Sequence, residues 1–540
     1  MRRIPNLRSF VLPAWCRGAA LRFSGEAFER LALAGFFAMT VIGPLRSQPL
    51  LPQTTPDPGI PGYRFPEREA TLLRWVAGSN SADEGERAAA TAKIRLHGWG
   101  LWTALTMETA QVFGGQRLRI FETWTTPEEL ASHPDWRNTA ALSQRQRRRA
   151  PLRRLAQFQA RPETDGPVAP MASDSAGGRI VGFVKFDPTA ADHLLAQGLL
   201  HTDTLDALLQ NGAQQVPVFP ATALAVKSVF QIIKASDLVD GRYYSLKAWP
   251  GPPDLPQPWG PAQWQGCVWI DLLEGGTGNG AVDEQAWADG GSRTTDTTYP
   301  LSSLINYRLS ADDATALNLE KPGTGAQVGD HAILVAMHIS GRELARWTWQ
   351  TFWWTPAPEA PNAPSSEAIA SLRPDQLRGA ARNYAMAQAY AMLEPDQPYV
   401  GGENVGAGVY AYNPWIEARF GPADLPDSRP GLDPAGRPAG NNYGVQTNCM
   451  SCHEQATYNP NKRSTAPRFT GARYVDLIDP QYVGTLQVDF LWSLPRTAVG
   501  PCATPPAAPQ VSVFAPATHV PPVFPVPDLI PPLRHLPIKP

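Results

Sequence analysis

The sequence predicts an α+β protein in which a β-rich, loop-rich upstream region is followed by a mainly helical region that carries a C-x-x-C-H motif. Proline is abundant, at 56 of 540 residues, and shortens helices. In the middle of the chain, several runs are rich in β-branched and aromatic residues, which is typical of β-strands. An alanine-rich run then precedes the motif, and alanine has the highest helix propensity.

A chain of this length is sufficient for roughly two to four domains, each with its own core. Shifts in composition divide it into five regions. We predict a signal peptide or anchor (1–47), a mixed α/β region (48–170), a β-rich tryptophan-containing domain (171–365), a mainly helical region that carries the C-x-x-C-H motif (366–500) and a proline-rich tail (501–540).

The N-terminal segment has the pattern of an export signal. Basic residues precede a mostly apolar run from Leu31 to Leu45, which is too short to cross a membrane comfortably. A retained anchor and a buried core helix are the alternatives. We therefore expect a periplasmic protein that contacts a membrane only if this segment stays uncleaved.

Charge excludes one class of partner. The chain has 47 basic and 49 acidic residues, so it lacks the electrostatic footprint of a nucleic-acid-binding protein. Six arginines do cluster between Arg145 and Arg154. The cluster is either a docking surface for an acidic redox partner or a solvated helix face.

Upstream patterns predict several regular elements. Helices are expected at 67–77 and 88–107, a strand at 119–124, and a helix that begins after the N-cap Thr126. Further along the chain, a helix should open at Asp187, and the remaining predicted strands span 179–186, 223–233 and 266–273. The glycine-rich stretch 274–280 lacks a P-loop lysine and is predicted to be a plain loop.

Two consecutive strands are expected at 332–339 and 347–354. In the second, Trp347, Trp349, Thr351 and Trp353 share one face, and the other face is equally bulky. One face could line a cofactor crevice while the other packs into a core; alternatively, both faces pack into cores or a domain interface.

The last predicted helices lie just before the motif. Alanines recur from Arg373 to Leu393, and Asn413-Pro414 has the form of a helix start with an N-cap and a proline at the first position. The stretch 421–444 is expected to be largely loop.

Cys449, Cys452 and His453 form the C-x-x-C-H motif, the strongest chemical signal in the chain. This spacing suits covalent attachment of one haem c, with two thioether bonds to the cysteines and iron ligation by the adjacent histidine on one helical turn. Zinc would need further ligands close by, and a thioredoxin-like site would need a βαβ setting. Both remain as alternatives.

Three segments together support a resemblance to a known family. These are Met337-His338-Ile339, the pattern Trp347-x-Trp349-x-Thr351-Phe352, and Asn448 to His453. They resemble large, mostly uncharacterised bacterial proteins of the cytochrome c family with a single C-x-x-C-H motif. In the family the second segment continues with more polar residues, whereas Trp353-Trp354 follows here. The resemblance implies an exported haem protein without specifying an activity.

The second axial ligand determines the chemistry of a haem iron. No methionine follows Met450, so the candidates lie upstream or in the tail. We rank His338 first, because it ends a buried strand beside the tryptophan-rich strand, and Met386 or Met392 next. The remaining candidates are Met337, His519 and His535.

If the haem uses Cys449 and Cys452, and Cys16 is cleaved off with the leader, two cysteines are left in the mature protein, Cys267 and Cys502. They either form a disulfide or stay as buried thiols.

These features favour a periplasmic monohaem cytochrome that transfers electrons to or from a redox partner protein or a small-molecule reductant. A haem-dependent oxidoreductase or peroxidase-like enzyme with an open distal site is the alternative, and a non-redox haem sensor is a third possibility. No catalytic acid–base group stands out.

Overall fold

The structure is a computed structural model. Its described residues are 51–137, 153–154, 180–284, 293–320, 325–422, 424–425, 431–432, 438–439, 443–461 and 473–498. All of them belong to one compact unit, Pro49–Pro540. The predicted export signal, most of the arginine cluster, Cys502, His519, His535 and the proline-rich tail lie outside the described residues.

The described helices and strands alternate along the chain as an α+β protein. The helices are α1 Glu69–Ser79, α2 Glu84–Thr106, α3 Ile120–Thr123, α4 Pro127–Ser132, α5 Pro188–Ala196, α6 Thr202–Gln210, α7 Ala311–Glu320, α8 Glu367–Ala370, α9 Cys449–Glu454 and α10 Ser493–Thr497. The strands are β1 Glu108–Phe113, β2 Gln116–Arg119, β3 Arg153–Arg154, β4 Ile180–Phe186, β5 Leu224–Ile233, β6 Tyr243–Lys247, β7 Cys267–Asp271, β8 Thr298–Pro300, β9 Asn306–Arg308, β10 His331–Gly341, β11 Thr348–Trp354, β12 Tyr384–Ala389, β13 Leu393–Glu394, β14 Ala407–Gly408, β15 Gly431–Leu432, β16 Pro438–Ala439, β17 Thr457–Tyr458 and β18 Leu486–Gln487.

A seven-stranded antiparallel sheet forms the centre of the fold. Its strand order is β12-β11-β10-β5-β4-β3, and β9 pairs with the start of β10. The sheet takes strands from all three of the predicted regions 48–170, 171–365 and 366–500. The smaller sheets include β6-β7-β8 and the β1-β2 hairpin.

The two faces of the central sheet have different partners. On one face, α2 packs its tryptophans against the sheet, and the Trp102 ring stacks on Phe352 at 4.3 Å between centroids. On the other face, the Trp349 ring lies 4.1 Å from the ring of His453. One bulky face of β11 therefore borders the motif, while the other packs into a core.

Most of the predicted upstream elements are confirmed. Helices α1, α2, α4 and α5 and strands β4, β5, β7, β10 and β11 lie where patterning placed them. Thr126 caps α4 with a reciprocal pair of hydrogen bonds to Glu129. The glycine-rich stretch after β7 is a loop, and the Asp271 carboxylate accepts from two of its backbone N–H groups, at Leu273 and Gly275.

The prediction of a mainly helical motif region is wrong. Most of the alanine-rich run predicted as a helix from Arg373 to Leu393 forms a 3₁₀ turn, Gly379–Asn383, and the edge strand β12. The register explains the difference, because Ala385 pairs with Trp353 and Ala389 pairs with Trp349. Small side chains leave room for large indoles on the neighbouring strand, and this packing outweighs helix propensity.

Two shorter predictions are also wrong. The strand expected at 119–124 ends at Arg119, where the Glu122 carboxylate accepts from the Arg119 N–H at 2.8 Å and starts α3. The segment after Asn413 is a set of turns, in which the Asn413 carbonyl accepts from the N–H groups of Ile416, Glu417 and Ala418. In both segments local hydrogen bonds determine the backbone path.

Asp187 caps α5, and its charge should make stability depend on pH. Its buried carboxylate accepts from the N–H groups of Ala190, Thr189 and Leu224. Burial raises its pKa from 3.8 to about 6, and these hydrogen bonds only partly oppose the rise. The folded state therefore binds the proton of Asp187 more tightly than the unfolded state does. The stability that comes from this difference is fully present below the unfolded pKa and is lost as the pH rises through about 6.

Asp187→Asn keeps a capping oxygen but cannot titrate. In the parent, the free energy of unfolding should fall by about 3 kcal/mol across this pH window, and in the variant this fall should be absent; denaturant titration measures both. Asp83→Asn removes the same charge at the exposed cap of α2 and serves as the matched control. An unchanged pH profile in Asp187→Asn would contradict the assignment.

Candidate functional site

Helix α9 presents the motif, and Asn448 fixes where the helix begins. The buried Asn448 accepts from the Ser451 N–H at 3.1 Å through its side-chain oxygen. Its side-chain amide donates to the carbonyls of Val409, at 2.7 Å, and Ala391, at 3.2 Å. The cap thus ties the helix to the chain that follows β12, and Cys449, which comes next, starts α9 at a fixed point.

The two faces of α9 differ in exposure. Met450, Ser451 and Glu454 are buried, and the Ser451 hydroxyl donates to the Arg473 carbonyl at 2.7 Å. The motif side chains at positions 449, 452 and 453 are partly exposed. Residues three and four apart share one helix face, so the two thiols and the imidazole point the same way, as the spacing predicts.

His453 is held in one orientation. Its Nδ1 lies 2.8 Å from the Phe490 carbonyl oxygen, which takes the ring N–H. Burial lowers the pKa of His453 to about 3, and nearby His338 and Lys227 act in the same direction. The imidazole is therefore neutral and Nε2 carries the lone pair, which is the arrangement found in metal-binding histidines.

The sheet forms a wall opposite the motif. Lys227 of β5 and His338 of β10 pair across the two strands, and both are partly exposed. All other residues of β5 are buried, and in β10 only His331, at its start, shares the partial exposure of His338. Both side chains therefore reach solvent from a part of the sheet that is otherwise buried.

Glu417 lies between the wall and the motif. Its Oε1 is 3.1 Å from His338 Nε2, and its Oε2 accepts from the Asn413 N–H at 2.8 Å. Burial works against the charge, yet His338, Lys227 and the Asn413 N–H outweigh it and lower the pKa of Glu417. Since Glu417 is then a carboxylate, it accepts the hydrogen bond from His338 Nε2.

Asn413 anchors the turn that carries Glu417. Its fully buried side-chain amide donates to Thr351 Oγ1 at 2.7 Å and to the Phe352 carbonyl at 2.9 Å, both on β11. Its side-chain oxygen accepts from the Trp415 N–H at 2.9 Å. The central sheet therefore positions the carboxylate next to His338.

Both motif thiols are held in the neutral form. Burial raises the pKa of Cys449 well above its usual range, and it raises that of Cys452 to about 12, with Glu417 adding to both effects. Cys449 Sγ donates to the Ala411 carbonyl at 3.1 Å. A redox dithiol needs a thiolate of low pKa, so this environment does not favour a thioredoxin-like role.

The structure separates the candidates for the second iron ligand. His338 lies on the face of the sheet that borders the motif. The Met386 sulfur sits against Gly98 of α2, on the opposite face, where Met337 also lies because it pairs with Phe352, the cross-strand partner of Met386.

The Met392 sulfur is also engaged elsewhere. It accepts from the Val475 N–H at 3.3 Å. Of the ranked candidates, His338 is therefore the one that the fold brings to the motif.

Metal-ion binding was one of the two alternatives for the cysteines. Among the described residues, no three His, Cys, Asp or Glu side chains are arranged to hold a metal ion. A covalent haem requires a different set of groups, namely two thiols and one imidazole on a single helix face. Cys449, Cys452 and His453 fit that requirement.

The fold also brings in residues that sequence reasoning missed. Lys227 and Glu417 come to the motif from distant parts of the chain. One local signal for Lys227 existed, since it is the single charged residue in the apolar run from Leu224 to Ile233. Glu417 gave no such signal, because it follows an ordinary turn sequence.

Two further findings concern other predictions. Cys267 is a buried free thiol in β7, and its suggested partner Cys502 lies outside the described residues. Within the described part of the chain, no helix has both the length and the apolar character to cross a membrane.

Comparisons with protein-family models, with curated proteins and with solved structures gave no match to the chain.

Proposed function

We propose that the chain carries one covalently attached haem c and acts as an exported, periplasmic monohaem cytochrome in electron transfer. In this proposal Cys449 and Cys452 form the thioethers and His453 is the proximal iron ligand. One observation carries it: the three side chains share one partly exposed face of α9, and the Phe490 carbonyl oxygen accepts from Nδ1 of His453, which leaves Nε2 of this histidine for the iron. The resemblance to the cytochrome c family points the same way.

The bound haem would supply a one-electron couple between ferric and ferrous iron. The protein residues set its surroundings. Trp349 packs against the His453 ring and restricts its rotation. His338 is our proposed distal ligand, because it lies on the sheet face that borders the motif and Glu417 holds its Nε2 at 3.1 Å. Such a carboxylate–histidine pair fixes the ring before it binds.

The contact between His338 and Glu417 also favours a second candidate function. If His338 stays off the iron, the distal position is open, and a histidine beside a carboxylate can accept and return a proton. That arrangement would suit a peroxidase-like oxidoreductase. In either case the electron partner is a redox protein or a small-molecule reductant.

Covalent haem is the first property to test. We expect the protein, expressed in a periplasm together with a cytochrome maturation system, to keep haem through a denaturing gel and to stain for it. The double variant Cys449→Ala/Cys452→Ala should lose the stain completely, because both thioether bonds are gone. Cys267→Ala removes a buried thiol outside the motif and should stain fully. A parent protein without stain would overturn the proposal.

A further inference from the structure

A series of aromatic side chains leads away from His453. The Trp349 ring follows it at 4.1 Å, Trp347 at 6.5 Å from Trp349, Phe219 at 5.8 Å from Trp347, and His193 at 4.5 Å from Phe219, all between ring centroids. The first three are buried and His193 is partly exposed. The series therefore runs continuously through packed protein from the motif to the surface.

The outer end of the series reaches solvent beside Val218. His193 Nε2 donates to the Pro217 carbonyl at 2.9 Å, and the next residue, Val218, is 37 % exposed. Phe219 then turns back into the core. A one-electron oxidant or reductant that docks at Val218 would therefore lie next to Phe219, a member of the aromatic series.

Trp347 has the surroundings of an oxidisable tryptophan. Its indole N–H donates to Asp489 Oδ1 at 3.2 Å, and the other oxygen of Asp489 accepts from the Phe219 N–H at 2.9 Å and faces Arg342 Nε at 3.3 Å. A carboxylate at the indole N–H stabilises the positive charge that forms when an electron leaves, and it can accept the proton that oxidation makes acidic.

The backbone at Trp347 is held in an uncommon conformation. Its φ is +60°, a left-handed value that costs a bulky residue energy. That conformation places Trp347 Nε1 on Asp489 and its ring between Phe219 and Trp349. A cavity of about 40 Å³ adjoins Asp489 and offers room for water. Its lining includes Val218, Arg342 and Asp489.

We propose that Trp349 and Trp347 form a one-electron relay between the motif and the surface at Val218; the proposal rests on the proposed haem function. A one-electron oxidant at the surface removes an electron from Trp347, and the indole proton moves to Asp489. Trp349 supplies an electron to Trp347, and the proton returns to the Trp347 nitrogen. A haem held by Cys449, Cys452 and His453 would supply the electron that Trp349 has lost, so that one electron crosses the relay and no covalent bond in Trp347, Trp349 or Asp489 has changed at the end.

Flash photolysis tests this relay directly. The host is Val218→Cys in a Cys502→Ala background, where the haem occupies the motif cysteines and Cys267 is buried. A ruthenium polypyridyl photosensitiser on the new thiol is oxidised by a flash and an external quencher. Transient absorption then follows oxidation of the ferrous haem. We expect Trp347→Phe and Trp349→Phe each to slow it about tenfold.

Trp353→Phe is the matched control. Trp353 is buried on β11, the strand that holds Trp349, but lies four positions farther along that strand. Trp353→Phe removes the same indole ring, so we expect a similar loss of packing but an unchanged rate of haem oxidation. Equal rates in Trp347→Phe, Trp349→Phe and the parent, all with full haem content, would overturn the relay and leave the haem proposal intact.

A second readout does not require haem. In the Cys449→Ala/Cys452→Ala background, the same flash should produce the transient absorption of a tryptophan radical, and Trp347→Phe should abolish it. A radical that persists in Trp347→Phe, or no radical in the parent, would overturn the relay. A negative haem stain in the motif-intact protein would overturn the proposed function instead, so the two failures are distinguishable.

Discussion

Replacing His338 with alanine is expected to open the distal side of the iron. If His338 is the sixth ligand, the parent should show low-spin bands in both oxidation states and should not respond to carbon monoxide. The variant should become high-spin and bind carbon monoxide readily, because α9 supplies only His453. Visible absorption spectra of the ferric and ferrous forms, with and without carbon monoxide, measure this change.

Met386→Leu and Met392→Leu are the controls. The two methionines are as buried as a ligand would be, but their sulfurs face Gly98 and the Val475 N–H. Both variants should keep the parent spectrum. A His338→Ala protein that stays low-spin and insensitive to carbon monoxide would disprove the ligand assignment. A parent that binds carbon monoxide readily would support the peroxidase-like alternative.

Gly444→Ala is expected to have the largest effect on stability. A β-carbon at this position would lie 1.6 Å from the Glu417 carbonyl oxygen and 3.0 Å from the Ala418 Cα. These are backbone atoms and cannot rotate away, so one of the two segments must move. We expect a loss of about 3 kcal/mol or more in the free energy of unfolding, measured by denaturant titration.

The same substitution should also disturb the candidate site. Gly444 precedes the motif helix, and its carbonyl accepts from the Thr447 hydroxyl at 2.7 Å, while Glu417 holds His338 on the other side of the contact. Gly85→Ala, at an exposed position of α2, is the control and should be neutral or slightly stabilising. If Gly444→Ala matched Gly85→Ala in stability, the close approach of the two backbones would be refuted.

Local patterns in the sequence predicted much of the sheet and several helix starts. Strand β10 is a continuous apolar run, and β11 is rich in aromatic and branched residues; both signals depend only on neighbouring residues. The cap at Thr126 was equally readable, because a side chain three residues from its partner can close the bond within one turn.

The alanine-rich run shows where such reasoning fails. Alanine favours a helix when only local interactions determine the backbone conformation. Ala385, Ala387 and Ala389 nevertheless lie in the edge strand β12. Their partners on β11 include Trp353 and Trp349, whose indoles leave space only for small side chains. Helix propensity amounts to less than about 1 kcal/mol per residue, so packing of this kind readily exceeds it.

By itself the sequence determined the chemistry that we propose at the motif. Cys449, Cys452 and His453 share one helix face because their spacing matches a helical turn, a property that needs no distant contact. Only the tertiary structure decided what faces them. Lys227 and His338 meet through the antiparallel register of β5 and β10, and Glu417 joins them through a turn anchored on β11. Pairings between distant segments depend on how the whole sheet closes, and a local pattern does not encode them.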